Sequence, residues 1–473
     1  MTSKIKKNTR HIFDLLSALA KEMDMSVYVV GGYVRDLLRR HEGTDLDFVV
    51  VGDAIRFCQA FKKYHRTKAY VTYPRFSTCM LEYRNHKLEF VSARSETYEQ
   101  TSRKPQVKKA DLFSDLSRRD FTINAIAMDI SKENFAELID PYQGQDDLQR
   151  GIIRTPRDPH QTFSDDPLRM MRAVRFASQF NFKIDPPTFQ AICQAAARLS
   201  IISQERITAE FNKIMLSEKP STGLLLLDKT GLLHHFFPEF EKTKGVEQRE
   251  KYHHKDVFYH TLQVIDQVAG VSDKLALRMA ALLHDIAKPK TKRFSRKMGW
   301  TFHGHEVIGE KMSASILHRL KYSKEVINYV KKIVRLHLRP MALVSEEVTD
   351  SAIRRLLVMA GDDFDDLMLL CRADITSKNP DKVKRYLKNY QIVIEKSREV
   401  EEKDKLRAFK SPVDGNEIMT LFNLEPGPQI GIIKKFIEDR ILSGEIPNEH
   451  DAALAHLIAV RENLLEKIDY KDK

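Results

Sequence analysis

The chain has 473 residues, 42% hydrophobic and 30% charged, with 78 Lys and Arg against 66 Asp and Glu for a net charge of +12. Such a length exceeds one ordinary core and implies several domains, while the positive excess suits an anionic partner without identifying one. The basic start runs into an amphipathic segment instead of an apolar signal core, and no stretch is long and apolar enough to span a bilayer, so no membrane role is expected. Cys58, Cys79, Cys193 and Cys371 are widely spread and lack C-x-x-C pairing. They are expected to be reduced, small apolar residues in a cytoplasmic protein.

Apolar positions from Thr9 to Met23 fall at helical spacing, and short β-type runs then dominate to about Asp140: Val27–Val30, Leu46–Val51, Ser77–Leu81, Leu88–Val91 and Ala125–Asp129. Within this block, Val29-Val30-Gly31-Gly32-Tyr33-Val34-Arg35-Asp36 reads as a strand, a turn open to close phosphate approach, and a helix from Val34 to Arg40 that brings Arg35 near the anion. On the next strand, alternation sends Asp45 and Asp47 to one face, so both carboxylates can grip one or two hard divalent cations. Singly, a Gly-Gly turn and a solvated pair of aspartates are ordinary features. Together they resemble the GG-x-V-R-D … D-x-D signature of the polymerase-β-like nucleotidyltransferases, and within them the class II tRNA nucleotidyltransferase and bacterial poly(A) polymerase family.

That resemblance implies an α+β protein: a nucleotidyltransferase head with a small mixed sheet, followed by an all-helical neck, a further helical domain and a helical tail. It implies a third carboxylate, and Lys87-Leu88-Glu89-Phe90-Val91 offers Glu89; alone, Glu89 is equally the polar face of an amphipathic strand. Ser117-Arg118-Arg119-Asp120-Phe121-Thr122-Ile123-Asn124-Ala125 resembles the family's R-R-D-F-T-x-N-A block, in which Arg119 would contact phosphate and Asn124 would donate to triphosphate or ribose oxygens. Between Ser92 and Phe113 a polar, basic, glycine-free stretch matches the position of the family's flexible loop.

After Asp140-Pro141-Tyr142-Gln143-Gly144 nearly every segment is helical in period. Ser164 can cap a helix with Pro167 in its first turn, and Asp166, Arg169, Arg172 and Phe176 recur along one face of it. By resemblance, Asp166 and Arg169 would read the base edge, and Arg172 and Arg175 would hold phosphates. The family's usual Glu-Asp start is Asp165-Asp166 here, a shortening expected to alter support. Glu205-Arg206-Ile207-Thr208-Ala209-Glu210 resembles the E-R-x-x-x-E element, in which Arg206 and Glu210 would orient those side chains.

The charged stretch Glu239–Lys251 reads as a linker. Beyond it, His260, His284-Asp285, His305, His337 and Asp374 follow the order H … HD … H … H … D of the HD phosphohydrolases, which such a sequence resembles. An adjacent His-Asp pair offers nitrogen and oxygen ligands to one metal, with the others completing its shell or holding a second ion. Basic helices from Lys321 onward suit an RNA backbone, and Lys378–Ser411 is charged and helix-prone before Pro412-Val413-Asp414-Gly415 turns into a last helical block. The expected divisions are 1–140 head, 141–245 neck, 246–380 HD domain and 381–473 tail. The expected activity is template-independent addition of C, C and A to tRNA 3′ ends from CTP and ATP with Mg2+, with a divalent transition metal at the HD centre. Poly(A) synthesis, CC-only or A-only addition, a degenerate RNA-binding scaffold and a nucleotide-sensing HD phosphohydrolase are the alternatives.

Overall fold

The computed structural model describes residues 5–41, 43–97, 106–247, 256–297, 299–345, 349–377, 379–404 and 411–469. The chain divides into two compact units, Met1–Glu241 and Lys242–Lys473. The first is built on strands β1 (Ser26–Val30), β2 (Asp45–Val51), β3 (Tyr70–Tyr73), β4 (Thr78–Tyr83), β5 (His86–Ser92), β6 (Arg94–Thr97), β7 (Gln106–Lys109), β8 (Ala127–Asp129) and β9 (Leu138–Ile139). Seven of these form one sheet in the order β3-β4-β5-β2-β1-β8-β9. It is mixed: β2 and β5 run parallel and every other neighbouring pair is antiparallel.

Alternation gives the sheet two unlike faces. Leu46, Phe48, Leu88 and Phe90 are fully buried and pack with Phe13 of the helix Lys7–Glu22 and Phe57 and Phe61 of the helix Ala54–Tyr64. Phe48 and Phe90 stack at 5.0 Å between centroids. The opposite face carries Asp45, Asp47 and Glu89, and one end of it is covered where Val30, Val49 and Ala93 meet Leu112 and Leu116.

Three expectations are corrected or completed here. Cys58 and Cys79 are not both free thiols: the helix Ala54–Tyr64 packs on β4, setting their Cα atoms 6.4 Å apart, and they form a disulfide across 21 positions. Cys193 and Cys371 remain free. The stretch expected as a loop after Ser92 is paired at its ends as the antiparallel β6–β7 hairpin, and its middle, 98–105, lies outside the described residues. β3 and β9, unforeseen, are the two edge strands.

The rest of this unit is helical apart from a small parallel pair, Ile152–Ile153 with Lys183–Ile184. The helix Leu168–Phe180 lies against Gln204–Met215 and Pro220–Lys229. That approach depends on Gly223, where a Cβ would come 2.3 Å from Ile214 Cγ2.

In the second unit the helices Val257–Ala269, Leu275–Leu283, His305–Arg319, Lys324–Leu336 and Phe364–Ala373 pack together, with a hairpin of Arg293–Ser295 and Gly299–Thr301. The charged segment forms the helix Pro380–Asp404. Asp414 and Glu417 then close a capping box that starts Gly415–Phe422, and Ile418, Phe422, Ile433, Ile437 and Leu457 form a core of their own. No helix among the described residues is long and apolar enough to cross a membrane.

Candidate active site

Gly31 has φ +72° and caps the helix Gly32–Leu38, so its backbone passes between two side chains. A Cβ there would lie 3.0 Å from Arg119 Nη1 and 3.9 Å from Asp47 Oδ2. Asp47 pairs in register with Val30 on β1 and with Glu89 on β5, and Asp45 pairs with Lys87. Registered partners share a face, so the three carboxylates expected from the sequence do stand together. The cleft walls desolvate Asp47 and raise its pKa, Asp45 adding to this while Arg119 and Lys87 oppose it. Desolvation likewise raises Glu89, with Asp47 as the next cause. Two neighbouring carboxylates that each resist ionisation form a donor set suited to a divalent cation, which would relieve both costs.

On the β1 side of Asp47 a cavity of about 300 Å³ is walled by Gly31, Gly32, Arg35, Arg119, Arg172 and Arg175, with Asn124 and Phe176. Each of the four guanidinium groups is braced by one carboxylate. Arg35 donates to both oxygens of Asp36 at 2.9 and 2.7 Å and to Asn124 Oδ1 at 2.8 Å. Arg119 pairs with the buried Asp115 at 3.1 Å. Burial alone would raise the Asp115 carboxyl, but Arg119 and Arg118 outweigh it and hold it low. Arg172 donates to Asp120 at 2.7 Å. Arg175 Nε lies 3.2 Å from Glu210 Oε2 at an angle that leaves both atoms without a hydrogen bond, and desolvation lowers its pKa to about 10. Arg119 Nε is also buried without a partner. A guanidinium has five donors, so bracing by one carboxylate fixes each fork and leaves donors for an anion.

Asp120, not singled out from the sequence, is the hub of this wall. Its carboxylate accepts from Phe121 N at 2.8 Å, Asn124 Nδ2 at 3.0 Å and Arg172. Burial opposes its ionisation, yet Arg172 and the Asn124 bond prevail and hold its pKa down to about 2.

Asp166 and Arg169 are not among the cavity's walls. Asp166 accepts from Leu168 N at 3.1 Å and from Arg206 at 3.1 Å, while Arg169 is buried and donates to the Arg118 carbonyl at 2.8 Å. Arg206 and Glu210 thus stand behind Asp166 and Arg175 respectively. The shortened Asp165 keeps its support, paired with Arg157 and accepting from Gln161 at 2.8 Å.

The second unit brings the six HD residues together in its interior. His284, His305 and His337 each turn Nδ1 to a carbonyl, of Ala281, Phe302 and Val334, at 2.8, 2.8 and 2.6 Å. His260 Nδ1 meets Thr376 Oγ1 at 2.9 Å. This leaves the Nε2 atoms facing inward. His260 Nε2 is 2.9 Å from Asp374, His284 Nε2 is 3.2 Å from Asp285, and His305 and His337 meet at 3.3 Å. Two overlapping triads result, His260-His284-Asp285 and Asp285-His305-His337, sharing Asp285. Burial would lower His284, but Asp285 and Asp374 raise it to about 10, whereas desolvation lowers His337 to about 4. Buried imidazoles and carboxylates converging on one point are the donor set of a divalent metal. Lys288, 2.6 Å from Asp285, also enters this centre.

Comparison with known proteins agrees with these two sites. Residues 27–154 match the family described as "Poly A polymerase head domain", 181–243 the "Probable RNA and SrmB- binding site of polymerase A", and 257–367 the "HD domain". An A-adding tRNA nucleotidyltransferase of Deinococcus radiodurans is 32% identical over 352 residues, 72% of this chain and 78% of that protein. A Multifunctional CCA protein of Nitrosococcus oceani is 31% identical over 370 residues, covering 75% and 86%. The CCA-adding enzyme of Bacillus stearothermophilus, solved in complex with CTP, has the same fold, with a TM-score of 0.67 over 99% of each chain at 22% identity. The chain therefore belongs to the tRNA nucleotidyltransferase and poly(A) polymerase family, as a metal-dependent transferase that also carries an HD domain.

Proposed function

We propose that this protein adds C, C and A to the 3′ ends of tRNA from CTP and ATP without a nucleic-acid template. The observation that carries the reading is the register of Asp47 with Glu89 beside a cavity walled by four braced arginines. Asp45, Asp47 and Glu89 would hold Mg2+. Bound there, a divalent cation supplies neutralising charge and lowers the pKa of the attacking 3′-hydroxyl. Gly31 and Gly32 let the triphosphate approach the backbone, Arg119, Arg172 and Arg175 bind its oxygens, and Arg35 fixes Asn124 toward the same cavity. We assign Asp166 and Arg169 to base reading, with Arg206 and Glu210 orienting the helix that carries them. Since Arg169 is engaged with the Arg118 carbonyl, a base must displace that bond to be read.

The division of the chain into head, neck, HD domain and tail at 140, 245 and 380 belongs to the same reading. So does a cytoplasmic setting, where reducing conditions act against the Cys58–Cys79 bond and its full burial shields it. We assign the HD centre a divalent transition metal held by His260, His284, Asp285, His305, His337 and Asp374, and hydrolysis of phosphoesters at damaged RNA ends.

A second reading is A-only addition, favoured by the name of the Deinococcus relative. The test uses tRNA lacking its terminal trinucleotide and tRNA ending in CC, each with labelled CTP, ATP or both. Three additions to the first substrate only with both nucleotides support the proposal. Extension of the CC-ending tRNA alone marks the A-adding activity, long ATP-only tails mark poly(A) synthesis, and no extension refutes all three.

A further inference from the structure

The carboxylates stand at the boundary between two unlike surfaces. On the β1 side lies the arginine-walled cavity. On the other side the register runs in rows across β2, β5, β4 and β3: Asp47, Glu89, Met80, Val71, and beside it Val49, Val91, Thr78, Tyr73. A third row places Lys87 between Asp45 and Glu82. Side chains in register share a face, so Val71, Tyr73, Met80 and Lys87 lie on the same face as the three carboxylates. Val71 and Tyr73, 45% and 46% exposed, remain open where soluble sheets normally bury such residues.

The charge agrees with the shape. From Ala54 to Lys87 eight Lys and Arg stand against one carboxylate, Glu82, and all eight are exposed. Lys87 makes no ion pair among the described residues, although it acts electrostatically on both Asp47 and Glu89. Three strand spacings separate Asp47 from Val71, about 14 Å, the span of about four stacked nucleotides.

We propose that this open sheet face is the seat of the acceptor strand, the last few nucleotides of the RNA whose 3′-hydroxyl is extended. It rests on the nucleotidyl-transfer reading. With the triphosphate on the β1 side, an in-line attack must come from the opposite side of the carboxylates, and that side is a platform continuous with them. Tyr73 and Val71 offer stacking contacts for bases, and Lys87 a phosphate contact beside the reacting end. Lys87 is a positioning residue. An acidic protein would suit the cations but would leave the aromatic platform and its continuity with the carboxylates unused.

The test uses the full chain and tRNA lacking its terminal trinucleotide, with 4-thiouridine in place of one of its last three nucleotides. Photo-crosslinks in wild type are expected on the peptides holding Val71, Tyr73 and Met80; crosslinks confined to other peptides overturn the proposal, whatever the variants do. Lys87→Ala should raise KM for tRNA about tenfold and flatten the slope of log KM against log salt by roughly one, with nucleotide affinity measured without RNA held constant and Lys87→Arg restoring it. A fall in nucleotide affinity with tRNA KM unmoved assigns Lys87 to the triphosphate and overturns its role here. Failure of wild type to incorporate any nucleotide sinks the transfer reading instead, and the crosslinks still report where RNA sits.

Discussion

At the scale of single residues, the carboxylates divide into those whose ionisation the fold opposes and those it promotes. Asp47 and Glu89 have raised pKa values, so each costs the metal-free protein stability once pH rises above the ordinary carboxylate range. Asp47→Asn is therefore expected to abolish nucleotide transfer while raising the melting temperature measured with a chelator present; a lower melting temperature contradicts the electrostatic account. Asp120 is the reverse case. Its pKa falls from 3.8 to about 2, so its stabilisation is complete above pH 4 and drains away between 3.8 and 2. Asp120→Ala strands Arg172 and should cost on the order of 2–3 kcal/mol, with a chemical-denaturation curve that lacks the acid-side loss seen in wild type. Because Asp120 also holds Asn124, nucleotide KM should rise in the same variant.

At the scale of elements, what was legible in the sequence is what local periodicity encodes. Period-two alternation put Asp45 and Asp47 on one face, and helical spacing put Arg172 and Arg175 on the helix that walls the cavity. What was not legible depends on partners remote in sequence. Asp120 meets Arg172 across 52 positions, Cys58 meets Cys79 across 21, and Arg169 turns to a carbonyl 51 positions earlier instead of into the cavity. The edge strand β3 escaped notice because Tyr-Val-Thr-Tyr is short and exposed on alternate residues, giving no apolar run. A contact of this tertiary kind sets the next expectation. Gly144 opens the helix Gly144–Arg150 directly under the turn Thr122–Asn124, and a Cβ on it would lie 2.2 Å from the Thr122 carbonyl oxygen. That oxygen is backbone and cannot rotate away, so Gly144→Ala must shift the turn that carries Asn124. Overpacking of this kind costs about 1–3 kcal/mol, and the displaced amide should raise KM for the nucleotide more than KM for tRNA. Steady-state kinetics with each substrate varied in turn separates the two, and equal effects on both would show that the shift does not reach Asn124.

At the scale of the whole molecule, two phosphate chemistries are built from opposite materials. The transferase centre is an open sheet face with carboxylates braced against arginines, whereas the HD centre is buried, His-rich and closed within its own helices. Each unit has a core of its own, the head around Phe13, Phe48 and Phe90 and the tail of the second unit around Ile433 and Ile437. Chemistry in one is thus expected to be removable without the other. In the HD centre, Asp285 is shared by both triads and is approached by His284, His305 and Lys288, so removing it strands buried positive charge and breaks both sets of donors at once. The double variant His284→Ala, Asp285→Ala should lose bound transition metal by elemental analysis and lose 2′,3′-cyclic phosphate hydrolysis, while CTP and ATP incorporation stays within about twofold. Replacing both members of the pair matters: Asp285→Ala alone leaves His284 buried with its main counter-charge gone, and misfolding of the unit would then mimic a chemical effect. If cyclic-phosphate hydrolysis persists in the double variant, the phosphohydrolase assignment fails; if nucleotide addition collapses with it, the two centres are coupled and the division into independent chemistries is wrong.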